Sequence, residues 1–228
     1  GEIRDPGFLA DAPRAPVYRF FRNGVHFYTT DALERDNVIR ASYGAGVTFD
    51  ELSFNPSTRD PIIGGESYKY EGVAYQALDT QGTPLYRFFS PSKRYHLVTA
   101  DPEEALNVIH RSVGDSYDFS SAQGQKNLLV GGWGYQYEGN AYKVSTIAQT
   151  GMDHPVYRFY NGKKGVHFYS SSMEEAKNVI ANSLGAQYAT DNWVSSTADA
   201  LKQNPSTSMP SPMASGWGYS FEGVAWYV

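Results

Sequence analysis

Apolar positions in this chain change their spacing twice within each of three similar stretches. The first opens Pro16-Val17-Tyr18-Arg19-Phe20-Phe21, where Tyr18 and Phe20 fall on one face and Val17, Arg19 and Phe21 on the other. That two-residue period predicts a strand with two differently dressed faces. It returns in Pro84-Leu85-Tyr86-Arg87-Phe88-Phe89 and in Pro155-Val156-Tyr157-Arg158-Phe159-Tyr160. A turn follows each time, and then a second strand: Val25-His26-Phe27-Tyr28-Thr29, Tyr95-His96-Leu97-Val98-Thr99, Val166-His167-Phe168-Tyr169-Ser170. Asn23-Gly24 and Asn161-Gly162 between aromatic strands are hairpin signals.

The spacing then becomes helical. Asp31-Ala32-Leu33-Glu34, Asp101-Pro102-Glu103-Glu104 and Ser172-Met173-Glu174-Glu175 each fit a capping box, with the Glu expected to reach back to the N-cap amide. Pro102 suits the first helical position, where no N–H is needed. The helices are predicted to run to about Ile39, Ile109 and Ile180 and to end near Gly44, Gly114 and Gly185. Stretches of variable length follow, at roughly 45–67, 115–132 and 186–215. The run Asn204-Pro205-Ser206-Thr207-Ser208-Met209-Pro210-Ser211-Pro212 reads as an exposed loop. Each stretch closes on a Glu-Gly strand: Tyr70-Glu71-Gly72, Tyr137-Glu138-Gly139, Phe221-Glu222-Gly223. The glycine there suggests a bulge or a close backbone approach.

Three copies, at about 16–78, 84–144 and 155–228, with the motif histidines 70 and then 71 positions apart, define the architecture. Units this small and aromatic suit one shared core. A propeller needs about four or more blades, and a solenoid would leave open edges. The expectation is an all-β chain with short helices: a single β-trefoil-like domain over 1–228, three pseudo-threefold repeats with one short helix each.

Composition narrows the function classes. Charged residues are 19% of the chain and the net charge is −5, with no basic stripe, so nucleic acid is not expected as a partner. No apolar run of about 18 residues suggests a transmembrane segment. The absence of cysteine removes disulfides, thiolate metal sites and cysteine nucleophiles. The opening Gly1-Glu2-Ile3-Arg4-Asp5-Pro6-Gly7 reads as a domain boundary, so the lack of a leader there carries no information.

The ordered blocks from Pro16 to Val228 resemble a bacterial and fungal repeat of unknown function, DUF5648-like, which often occurs in threes in secreted or cell-surface proteins. The second copy departs from the pattern at Leu97-Val98 and Asn140, and all three have long connections before the Glu-Gly strand. The resemblance implies an extracellular or cell-surface ancillary module within a larger secreted polypeptide. It supplies no ligand.

Candidate chemistry lies mostly in the repeats. Each copy carries an Arg, a His and a Glu: Arg19, His26 and Glu71; Arg87, His96 and Glu138; Arg158, His167 and Glu222. An Arg fork matches carboxylate geometry, so pairing within each copy is the simplest account. The same groups, with neighbouring tyrosines, could instead grip sugar hydroxyls. Three equivalent histidines could also meet on one zinc, although each is better explained as pinning its own hairpin; neither a metal nor a cofactor is expected. Glu34, Glu104 and Glu175 are assigned to capping rather than to hydrolysis, and Asn37, Asn107 and Asn178 to bonding nearby loop backbone. No Gly-x-Ser-x-Gly elbow, P-loop or His-Glu-x-x-His is present, and no enzyme activity is expected. Trp133 and Trp217 read as core or rim packing, and Trp193, in the longest variable stretch, reads equally as a contact residue on a loop or as a ring covering its own loop. The expected function is a noncatalytic carbohydrate-binding, lectin-like module for a glycan of a cell surface, biofilm or cell wall. The alternative is a protein-interaction or spacer domain of a large secreted adhesin.

Overall fold

The computed structural model describes residues 9–54, 59–62 and 64–228. The opening segment read as a domain boundary lies outside the described residues, as do parts of the first variable stretch. The first copy folds as β1 (Arg14–Arg22), β2 (Val25–Thr29), α1 (Ala32–Tyr43), α2 (Phe49–Phe54) and β3 (Lys69–Leu78). The second gives β4 (Thr83–Ser90), β5 (Tyr95–Thr99), α3 (Pro102–Val113), α4 (Phe119–Ala122) and β6 (Gln136–Val144). The third gives β7 (Pro155–Asn161), β8 (Val166–Ser170), α5 (Met173–Ser183), a 3-10 turn at Ala186–Tyr188, α6 (Asp191–Gln203) and β9 (Tyr219–Tyr227).

The described residues divide into two compact units, one within 12–143 and the other of 9–11 with 144–228. In the first, six antiparallel strands run in the order β2-β1-β3-β6-β4-β5. The two copies there join through a single ladder position, Leu78 opposite Lys143. In the second, three antiparallel strands run β8-β7-β9, and Ser145 bridges to Tyr227. The chain is mostly β-sheet with a few short helices, as the patterning predicted. In neither unit do the described strands close into a barrel, so the expected trefoil closure is not seen. Each copy supplies three strands, and much of its remaining length is helical. Among the described residues no helix is long and apolar enough to cross a membrane.

The single helix expected per copy is also an undercount. The variable stretches hold a second helix because each carries its own start: Thr48 Oγ1 accepts from Glu51 N, Asp118 forms a capping box with Ser121, and Thr190 Oγ1 accepts from Trp193 N. These helices cover the sheet. In the first copy Tyr18, Phe20 and Phe27 pack with Ile39, Leu52 and Tyr70. In the third, Phe159 and Phe168 pack with Ile180, Val194 and Leu201.

After its helices, each copy docks one extended segment on the end of its first helix. Ile62 N donates to Ser42 O and Glu66 N to Ala41 O; Leu129 and Trp133 do the same to Ser112 and Arg111, and Met213 and Trp217 to Ser183 and Asn182. Helix-terminal carbonyls are thereby satisfied by downstream backbone. The approach is close enough to demand glycine. A Cβ on Gly65, Gly132 or Gly216 would stand 2.5 Å from the carbonyl oxygen of Ala41, Arg111 or Asn182. Trp133 and Trp217, read from the sequence as core or rim packing, ride on this segment half-exposed, with their backbone amides bonded to the helix end.

Candidate functional site

The Arg, His and Glu of each copy meet at one carboxylate oxygen. Arg19 and Phe20 of β1 straddle a register shift, pairing with Gly72 and Tyr70, so Glu71 is the extra residue of a bulge. Gly72 accommodates it at φ 96°, a left-handed backbone that glycine adopts without strain. Gly139 and Gly223 hold the same conformation beside Glu138 and Glu222. Glu71 Oε1 lies 2.9 Å from Arg19 Nε and 3.3 Å from His26 Nε2. The distances repeat in the second copy, 2.9 Å from Arg87 and 3.3 Å from His96, and in the third, 2.8 Å from Arg158 and 3.2 Å from His167. Each imidazole also packs on the aromatic ring opposite it in the hairpin, at 4.9 Å on Phe21, 4.8 Å on Phe89 and 4.9 Å on Tyr160.

The electrostatics follow from this geometry. Burial opposes ionisation of Glu222, but the hydrogen bond to His167 and the charge of Arg158 outweigh it and hold the carboxyl at about 2. Burial likewise opposes ionisation of Glu71 and Glu138, and their His and Arg partners bring both below the ordinary carboxylate range. Every repeated carboxylate is thus held as an anion, with an arginine and a histidine of its own copy beside one of its oxygens. The sequence-predicted triplets are assembled as pairs within each copy. Among the described residues, no group of three or more His, Asp or Glu is placed to hold a metal ion.

The capping glutamates behave differently from expectation. The N-cap amides they were to satisfy are already engaged: Asp31 N donates to Thr29 Oγ1, Asp101 N to Thr99 Oγ1 and Ser172 N to Ser170 Oγ. Glu34 is therefore available elsewhere. Its two oxygens accept from Arg87 Nη1 at 2.8 Å and Nη2 at 3.0 Å, a bidentate fork between the first copy's helix and the second copy's sheet. Burial works against the Arg87 charge, but Glu34 and Glu138 more than restore it and raise its pKa. Asn37 accepts from Arg40 on its own helix rather than bonding loop backbone. Trp193 stands on helix α6, not a loop, with its ring 5.0 Å from Tyr188 and 6.2 Å from Phe221. It covers its own copy's core.

Sequence reasoning passed over a cleft of about 520 Å³ between the first two copies. The outer strands of the six-stranded sheet approach there, Phe27 of β2 lying 4.8 Å from the His96 ring of β5. Leu33, Glu34 and Asn37 of α1 line one wall. Phe89, Arg94 and the docked residue Glu66 line another. Glu66 is held by two arginines, Arg22 Nη1 at 3.2 Å and Arg94 Nη2 at 2.9 Å, both on Oε2. Arg22 also donates to the Glu66 carbonyl at 2.7 Å and lies 4.1 Å above the Tyr68 ring. The available signal was disagreement between copies, since Glu66 occupies the place of Trp133 and Trp217.

A family model described as a domain of unknown function, DUF5648, matches residues 8–52, 53–118 and 110–215. The first boundary falls inside α2, and the second and third regions overlap over 110–118, from the end of α3 to the residue before α4. No curated protein and no solved structure matches the chain.

Proposed function

The chain belongs to the DUF5648 family of repeat domains, and from that premise we propose that it is a noncatalytic carbohydrate-binding module of a secreted or cell-surface protein. The observation that carries this reading is the cleft between the first two copies. Its size and its mixture of apolar walls with a few fixed polar groups suit a small ligand whose orientation is set by hydrogen bonds. A sugar matches both parts, since its C–H face packs on apolar carbon and its hydroxyls donate and accept. The noncatalytic part rests on the carboxylates. Glycoside hydrolysis needs one carboxyl kept protonated near neutral pH, and Glu71, Glu138 and Glu222 are all shifted the other way. The expected partner is a glycan of a cell surface, biofilm or cell wall. A glycan array with the full chain tests it: retention on one sugar class is the expected outcome, and silence across a broad array overturns it.

A second reading has its own observation. The docked segment of the second copy leaves Leu129, Val130 and Trp133 exposed together, an apolar tip of the kind that contacts proteins. On this reading the chain is an interaction or spacer domain of a large adhesin. It predicts no glycan retention and a defined protein partner whose affinity, by surface plasmon resonance, falls in a Val130→Ser, Trp133→Ser variant.

A further inference from the structure

Resting on the carbohydrate reading, we infer that the chain takes one neutral, hydroxyl-rich sugar per polypeptide in this cleft, held by Asp31, Asn37, Glu66 and Arg94. The first argument is hydrogen-bonding capacity. Asp31 Oδ1 caps helix α1 through Leu33 N and Glu34 N, which leaves Oδ2 without a protein partner among the described residues. Asn37 engages only its Oδ1, with Arg40, so its Nδ2 donors are uncommitted. Glu66 receives both arginines on Oε2 and keeps Oε1. Arg94 uses Nη2 alone and retains the N–H groups of Nε and Nη1. Two acceptors and two donors therefore line one cleft. A hydroxyl both donates and accepts, so a polyol can satisfy the whole set, whereas an amine or a carboxylate can satisfy only half.

Charge selects in the same direction. The lining carries Arg22 and Arg94 against Asp31, Glu34 and Glu66, and Glu34 is neutralised by Arg87 outside the lining. No net field favours a charged ligand. Leu33, 70% exposed on the first turn of α1, and the part-exposed ring of Phe89 offer apolar surface for the C–H face of a ring. The polar groups are fixed before binding, because Arg22 is stacked on Tyr68 and bonded to both ends of Glu66. Such preorganisation reduces the ordering cost of association.

The stoichiometry of one follows from what the other copies hold. The docked backbone position of Glu66 is Trp133 in the second copy and Trp217 in the third. The end of the first strand, Arg22, is Ser90 and Asn161. The Arg22–Glu66–Arg94 clamp thus exists once, unlike the Arg–His–Glu cluster, which exists three times.

Isothermal titration of the full chain with glucose, galactose, mannose, N-acetylglucosamine and their short oligomers tests this, with glucuronate as the charged comparison. The expected result is one site per chain, affinity lowered about tenfold in each of Asn37→Ala and Arg94→Ala, and no preference for glucuronate. Both residues are exposed and no core packing depends on them, so both variants should keep the melting temperature. Amide shifts on titration, which need no variant, should cluster at residues 31–37 and 92–96. Three sites per chain, unchanged affinity in both variants, or preference for glucuronate overturns the cleft assignment and leaves the carbohydrate reading standing. A glycan retained on the array but absent from this set is put through the same two variants with the same criteria. Wild-type protein that binds no sugar in either assay overturns both.

Discussion

One carboxylate oxygen per copy does the local joining. Glu222 Oε1 takes Arg158 from β7 and His167 from β8, so three strands of the third copy are fastened at one atom. The acid response follows. The Glu222 carboxyl sits at about 2 in the folded chain against an ordinary value of 4.5. A depressed carboxylate contributes stability that is complete above its unfolded pKa and is lost as pH falls through the folded one. The contribution should therefore decline between about pH 4.5 and pH 2. Glu222→Gln removes that ionisation, so its melting temperature should be lower than wild type at pH 7 and converge with it as pH approaches 2. Thermal melts at half-unit pH steps check this, and a constant gap across the window would assign the cluster no linkage. These triplets were legible in the sequence because repetition marked them and side-chain chemistry paired them. The role of Glu34 was not. A capping box is a statement about four residues, and the hydroxyl that displaces it, Thr29 Oγ1, lies two positions before the box begins.

Among the elements, the docked segment decides how the variable stretches can vary. Insertions of different length all return to the same two helix-end carbonyls, and the return is fixed by one glycine in every copy and, in the first two, by a serine hydroxyl, Ser42 or Ser112. Ser112 is buried, and its Oγ accepts from Tyr135 N at 3.1 Å. Ser112→Ala would leave that amide without its acceptor and should cost about 1–2 kcal/mol. Gly132→Ala places a methyl 2.5 Å from Arg111 O, contact with backbone that cannot rotate away. The segment must lift off the helix, and the cost should be about 2 kcal/mol or more. Chemical denaturation of both variants measures these, and an unchanged midpoint for Gly132→Ala would mean that the docking is dispensable. Strands and first helices were readable because their periodicity is strong. The second helices were not, since Phe49–Phe54 and Phe119–Ala122 are too short to show a period, and α6 lies among Ser, Thr and Asn that read as loop. The cleft was invisible for a related reason. It is built from residues where the copies disagree, and pattern matching between copies discards them.

At the scale of the larger unit, two copies meet through little backbone. One ladder position, Leu78 opposite Lys143, joins their sheets, so side chains must fix the rest of the junction. Tyr75 and Tyr142 share a hydroxyl–hydroxyl hydrogen bond at 2.5 Å, and Arg87 forks onto Glu34. The fork is only partly exposed, at 16% for the Arg87 side chain and 31% for Glu34, so it is screened less than a surface pair. Arg87 also serves Glu138 in its own copy, and Arg87→Ala alone would confound the two partnerships. A double-mutant cycle separates them: Glu34→Ala, Arg87→Ala and the pair, each followed by urea denaturation. Glu34→Ala should cost about 1 kcal/mol, and the Arg87 variant more, because it strips the donor from two carboxylates at once. The coupling energy should be roughly 1 kcal/mol, favourable and reduced by salt. A coupling within error of zero would mean that apolar contact and the tyrosine pair hold the copies without the fork. Since Glu34 lines the cleft beside Asn37, a real coupling also implies that the helix α1 wall is positioned by a residue of the other copy. Glu34→Ala should then weaken sugar binding although Glu34 has no oxygen left to offer a ligand.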